Sequence, residues 1–114
     1  MNLQMKTMGN SLIVKLSGEL DHHSSENVRL KIDNSFISNN LFNIVMDLNE
    51  LTFMDSSGIG LIMGRYRNVN EKKGEILIAC ENESIKRILD MSGLFKIIKL
   101  YPDLDTAIKN IKTR

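Results

Sequence analysis

Apolar residues recur along the chain with two alternating periods, and the switches between them mark its elements. Gln4 to Met8 reads as a strand, Gly9-Asn10-Ser11 as a tight turn and Leu12-Ile13-Val14-Lys15-Leu16 as a second, more buried strand; together they predict an opening hairpin. Beyond Gly18-Glu19-Leu20-Asp21, the residues Val28, Ile32 and Phe36 fall one turn apart. That spacing predicts an amphipathic helix over about Ser24 to Ile37, with Asp21 or Ser24 as its N-cap. Asn39-Asn40 ends it, and Ile44-Val45-Met46 is a short apolar run expected to be a strand covered on at least one face.

The helical period returns from Ile59 through Ile62, Tyr66 and Val69, and Lys72-Lys73-Gly74 supplies the cations and the glycine that suit a helix end. Glu75 to Cys80 reads as another buried strand. Ser84 opens a short helix striped by Ile85, Ile88 and Leu89 and stopped by Gly93, which is expected just past the helix end at positive φ. Phe95 to Leu100 is expected to be the last strand. Pro102-Asp103 then starts a closing helix in which Leu104, Ala107, Ile108 and Ile111 fit the i, i+3, i+4, i+7 spacing. The order β-β-α-β-α-β-α-β-α implies an α/β fold with crossover connections, a largely parallel sheet, an antiparallel edge from the hairpin, and helices lying flat on the sheet.

No repeat, low-complexity stretch or linker interrupts this pattern, and the single proline is Pro102, so residues 1–114 are expected to form one domain. With 114 residues, 42% of them hydrophobic and 25% charged, the chain can bury one core within a radius of about 13 Å but not a second lobe with an interdomain cleft. Fifteen Lys and Arg against 14 Asp and Glu leave a net charge of +1. That field is too weak for the phosphate backbone, and nucleic acid is not expected as a partner. Cys80, the one cysteine, follows Ile76-Leu77-Ile78-Ala79 and reads as a buried thiol in a reducing compartment. Met1 to Lys6 lacks the apolar core of a signal peptide, and no stretch reaches the roughly 18 apolar residues of a membrane span. A cytoplasmic location without membrane association is expected.

Candidate chemistry gathers in Phe53-Met54-Asp55-Ser56-Ser57-Gly58-Ile59-Gly60, where a loop enters the second helix. Asp55, Ser56 or Ser57 could cap that helix, whose first N–H groups carry the positive end of its dipole. One cap needs one side chain, yet three are offered and two glycines follow, so an exposed hydroxyl is left over. Such a hydroxyl is open to a kinase, and a phosphoryl group on it would add about −1.5 to −2 charges beside Asp55.

Gly58-x-Gly60-x-x-x-Gly64 only partly matches a phosphate-binding glycine pattern, because Met63 takes the third glycine position and Asp55 stands where an anion would approach. Close backbone packing is the preferred reading of these glycines. Nucleophilic catalysis by Ser56 lacks a base and a helper, since the only imidazoles are the adjacent His22 and His23, and Met54 breaks the G-x-S-x-G elbow. An enzyme is therefore not expected. The histidine pair has no further cysteine or histidine at metal-ligand spacing, so neither a metal nor a cofactor is implied. Arg65 and Arg67 read equally as a solvated face or as interface anchors.

Four separated motifs in order, Gly18-Glu19-Leu20-Asp21-His22-His23, Phe53 to Gly60, Gly64-Arg65-Tyr66 and Asp90-Met91-Ser92-Gly93-Leu94-Phe95-Lys96-Ile97-Ile98, together resemble the STAS-domain family, and within it the anti-sigma factor antagonists of endospore-forming bacteria. The likeness runs from the opening hairpin to about Leu100. It implies a small mixed sheet of four to five strands with about four helices packed on it, and a regulatory protein without catalysis of its own. In that family the unphosphorylated antagonist binds an anti-sigma factor that is also a serine kinase, freeing a sporulation sigma factor. The kinase phosphorylates the first serine of Asp-Ser-Ser-Gly, here Ser56, and a serine phosphatase restores the active form; on this reading Ser57 is expected to face the helix start and engage its backbone donors. Partner contacts implied by the resemblance are Asp21, His22, Ser56, Ser57, Gly58, Ile59 and Arg65, on a protein expected to be a monomer when free. A stress-response antagonist or STAS scaffold of the same fold is the alternative, and a small nucleotide-binding protein a more distant one.

Overall fold

In a computed structural model, which describes residues 1–112, the chain forms β1 (Asn2–Met8), β2 (Ser11–Leu20), α1 (His22–Ser38), β3 (Asn43–Met54), α2 (Ser56–Glu71), β4 (Ile76–Ala79), α3 (Glu83–Met91), a 3-10 turn (Leu94–Lys96), β5 (Lys99–Tyr101) and α4 (Leu104–Lys109). Among the described residues the strands make one five-stranded sheet in the order β1-β2-β3-β4-β5. The opening hairpin is antiparallel, with Met8 opposite Ser11, and the other three pairings are parallel. The expected order of elements and the mixed sheet are both present, and the Cα radius of gyration is 12.6 Å.

Strand alternation divides the core between the two faces of the sheet. Leu12, Val14, Leu16, Ile44, Met46 and Ile78 pack on one face against the stripes of α1 (Val28, Ile32, Phe36), α2 (Leu61, Ile62, Val69) and α3 (Ile85, Leu89). Their neighbours Ile13, Val45, Leu77 and Ala79 point the other way and meet Ala107 of α4. At about 1.5–3 kcal/mol for each large side chain buried, the first face supplies most of the stabilisation, and it is the face that anchors α1 and α2.

Four elements, β3, β5, α1 and α2, differ from the pattern-based reading. β3 spans Asn43–Met54 instead of Ile44 to Met46, because its outer half continues alongside β2 after β4 has ended, with Leu48, Leu51 and Met54 buried among polar neighbours. At two register shifts, opposite Lys15–Ser17 and Gly18–Glu19 of β2, β3 carries one extra residue each, which breaks its two-residue alternation while the pairing continues to Leu20 and Met54. Phe95 to Leu100 is not one strand: Gly93, at φ +80°, turns the chain into the 3-10 turn, where the Leu94 carbonyl accepts from the Ile97 and Ile98 amides, and only Lys99–Tyr101 pairs with β4. Gly93 itself lies where it is expected, two residues past the end of α3. Finally, α1 begins at His22 and α2 at Ser56, earlier than the first apolar residue of either stripe.

The sheet positions the site through one register. Leu20 of β2 is opposite Met54 of β3 in a parallel pair, so the residues that follow, Asp21 and Asp55, leave the sheet side by side and each starts a helix. Ligand and partner sites of open parallel sheets form at such strand ends.

Candidate functional site

Two helix starts meet at this edge, and two aspartates organise them. Asp21 is the N-cap of α1: its Oδ1 accepts from the amides of His23 and Ser24, both at 3.0 Å, while the Ser24 hydroxyl accepts from the Asp21 amide at 3.0 Å. This reciprocal capping box resolves the expected choice between Asp21 and Ser24 in favour of both, in different roles. The amide hydrogen bond from Ser24 holds the Asp21 carboxyl below the ordinary carboxylate range.

Asp55 serves both helices. Its Oδ1 accepts from the Ser57 amide at 2.8 Å, capping α2, and its Oδ2 accepts from the His22 amide of α1 at 3.3 Å. One carboxylate thus meets the positive ends of two helix dipoles and ties the Asp21-His22 motif to the Asp55-Ser56-Ser57 motif. The Asp55 amide is itself fixed to the Leu20 carbonyl at 3.3 Å.

With Asp55 doing the capping, both serines are released from that duty. Ser56 is exposed as the first residue of α2. Ser57 is half-buried, and its amide, not its hydroxyl, is the engaged group, which corrects the expectation that the Ser57 side chain holds backbone donors. The Asp55 carboxylate, two residues earlier, is the N-cap and the stronger acceptor, so the capping of α2 falls to it and not to the Ser57 hydroxyl. Gly58 is buried beneath the loop: a Cβ there would lie 2.4 Å from Met54 Cγ and 3.1 Å from Leu20 Cδ2. Close packing is therefore the role of Gly58. It is not the role of Gly60, where a Cβ would meet nothing within 4 Å, nor of Gly64, where it would meet only Arg67 Nη2 at 3.9 Å.

His22 and His23 project from the first turn of α1, exposed and edge-to-face with ring centroids 5.9 Å apart. Ile59 is half-buried, and Phe53, just before the loop, keeps 46% of its surface exposed. Asp21, His22, Ser56, Ser57, Gly58 and Ile59 are thus gathered at one end of the sheet. Arg65 stands apart, more than two turns further along α2 and only 6% exposed, with Nε 3.0 Å from Asp33 Oδ1 on α1. Burial pulls its pKa down, and Asp33 offsets part of that. The sequence reading missed Asp33, because a lone acid on the middle of a helix carries no signal until α1 and α2 are side by side. The Asp90 to Ile98 motif lies at the α3 terminus and the turn into β5, at the sheet end from which β5 departs, away from Ser56.

A STAS domain model matches residues 2–107. The chain belongs to the STAS-domain family. It is 46% identical over 114 residues to an anti-sigma F factor antagonist from Paenibacillus polymyxa, covering 98% of this chain and 97% of that one. Among solved structures it resembles the anti-sigma factor antagonist SpoIIAA in its unphosphorylated form (TM-score 0.75, 27% identity, 95% of this chain and 96% of the other). It resembles equally the Bacillus cell fate determinant SpoIIAA in the phosphorylated form (TM-score 0.77, 28% identity, 97% and 100%). The STAS fold of this chain is thus shared with a protein whose structure is known in an unphosphorylated and a phosphorylated form. No helix among the described residues is long and apolar enough to cross a membrane.

Proposed function

We propose that this STAS domain is an anti-sigma factor antagonist, a binding module without catalysis of its own that is switched by phosphorylation of Ser56. The observation that carries the reading is the division of labour at the start of α2. Asp55 takes the capping, and Ser56, next to it, is exposed at a helix N-terminus on a loop locked by Gly58 and Met54. The unphosphorylated surface, made of Asp21, His22, Ser56, Ser57, Gly58, Ile59 and, deeper, Arg65, engages an anti-sigma factor that is also a serine kinase and so frees a sporulation sigma factor. The kinase modifies Ser56, a serine phosphatase reverses it, and the cycle runs in the cytoplasm on a monomeric antagonist.

A phosphoryl group at the first residue of a 16-residue helix faces N–H donors and the positive dipole end, so the fold tolerates it. It also sits next to Asp55, and a dianion beside a carboxylate repels an acidic or nucleotide-bearing partner surface. Binding is lost and folding is not. Incubation with the cognate anti-sigma kinase and ATP, followed by mass spectrometry, should place one phosphate on Ser56. Calorimetry with the kinase and ADP should show Ser56→Ala binding like the parent and Ser56→Asp binding poorly at an unchanged melting temperature. Phosphate on Ser57 in the intact protein, or tight binding by Ser56→Asp, would refute this.

A further inference from the structure

Between α1 and α2, from their first turns along α2 as far as Arg67, runs an open cleft of about 380 Å³, lined by Ser25 and Arg29 on one side and by Gly60, Gly64 and Arg67 on the other, with Arg65 among the lining. Arg65 is the anomaly. Its side chain is 7% exposed, and Nη1 is buried with no hydrogen-bond partner. Its Nε meets Asp33 as an ion pair and not as an aligned hydrogen bond. A buried guanidinium nitrogen without an acceptor is costly to maintain and points to an acceptor supplied from outside.

The local charge balance agrees. Asp33 is shared, Oδ1 with Arg65 Nε at 3.0 Å and Asn68 Nδ2 at 3.2 Å, and Oδ2 with Arg29 Nη1 at 3.4 Å. Arg29 also pairs with Glu26, while Arg67 has no ion pair among the described residues and lies over Gly64. Arg29, Arg65 and Arg67 against Glu26 and Asp33 leave 3 − 2 = +1 around the cleft. The two neighbouring guanidinium groups further depress the Arg65 pKa, after burial, as expected where positive charge is in excess.

We propose that this cleft receives one carboxylate side chain, an Asp or Glu of the anti-sigma partner, which enters over Gly60 and Gly64 to pair with Arg65 Nη1 and Arg67. The proposal rests on the function proposed above and names how that partner is gripped. One carboxylate cancels the single excess charge, whereas a phosphate dianion would overshoot it. A free carboxylate would lose its translational freedom for one contact in an open cleft, but a side chain on an already docked partner loses little more. The absence of Cβ atoms at Gly60 and Gly64 leaves the entry open, and Ser57, which also lines the cleft, makes it continuous with the Ser56 surface.

Calorimetry of the full chain with its cognate anti-sigma kinase and ADP tests this with two variants that do not touch Arg65. Arg67→Glu reverses a charge on the rim, and Gly60→Glu places an internal carboxylate in open space. Each should bind at least about tenfold more weakly than the parent while melting close to it, with a shallower salt dependence. Exchanging one Asp or Glu of the kinase for Arg should restore binding to Arg67→Glu. Both variants binding within about twofold of the parent, or a loss that no such exchange rescues, would overturn the proposal. A parallel NMR titration of the free chain with inorganic phosphate and with acetate follows the Arg65 side-chain Nε–H. Saturation by phosphate at micromolar concentration would assign the cleft to a small anion instead. If the parent itself does not bind the kinase, the functional reading falls and the proposal with it; if the parent binds and both variants bind equally, only the cleft assignment falls.

Discussion

The same substitution two residues apart on α2 should have opposite effects. Gly58→Ala and Gly60→Ala each gain helix propensity, up to about 1 kcal/mol relative to glycine. At Gly60 nothing lies within 4 Å of the new Cβ, so the gain is realised and the protein is stabilised by about 0.5–1 kcal/mol. At Gly58 the Cβ would come within 2.4 Å of Met54 Cγ, 2.8 Å of Met54 Sδ and 3.1 Å of Leu20 Cδ2. Met54 is only 2% exposed and Leu20 fully buried, so the thioether has nowhere to retreat without disturbing the core. Overpacking of this kind costs about 1–3 kcal/mol. The propensity gain cancels between the two variants, and their difference isolates the packing cost. With a urea m-value on the order of 1.5 kcal/mol/M, the two unfolding midpoints should be separated by roughly 0.7–2 M. Equal shifts in both midpoints, in either direction, would refute the claim that Gly58 is required by contact with Met54. Met54→Ala should then cost less in the Gly58→Ala background than in the parent, by about the overpacking cost, whereas a purely conformational effect at Gly58 would leave the two costs equal.

Three further outcomes are expected. Gly93 sits at φ +80° with no atom within 4 Å of a would-be Cβ, so its substitutions report backbone strain alone: Gly93→Ala should cost about 1–2 kcal/mol, Gly93→Asn less and Gly93→Val more in urea unfolding, with partner binding unchanged. Because hydrogen bonding lowers the Asp21 carboxyl below its unfolded value, its stabilising contribution is present above about pH 4 and disappears as the pH falls through the folded-state value; Asp21→Asn, which keeps a capping acceptor, should flatten the acid limb of the urea midpoint against pH. Asp33→Ala should destabilise by up to about 3 kcal/mol, because it leaves buried Arg65 without its counter-charge, and Arg65→Met in the same background should restore part of the loss in thermal melts.

Local pattern was sufficient for the alternation of strands and helices, the positive φ of Gly93 and the cluster of polar groups at the start of α2, because each depends on residues within one or two turns of one another. The apolar spacing of Val28, Ile32 and Phe36 is a property of one helix wherever it lies, and so is the surplus of capping groups in Asp55-Ser56-Ser57. The extent of β3 was not legible: extra residues within β3, opposite Lys15–Ser17 and Gly18–Glu19 of β2, disturb the alternation that a strand reading depends on, and its outer half pairs as a strand with β2 alone. Nor could adjacency along the chain show that Asp55 accepts from His22, 33 positions away, or that Arg65 meets Asp33 across two helices. Those contacts exist because Leu20 and Met54 share one register in a parallel pair, which sets two helix N-termini beside each other and aligns α1 with α2. Sequence determined which side chains stand at each helix start; the parallel register, a long-range pairing paid for by burial of the sheet, decided that the two starts form one surface.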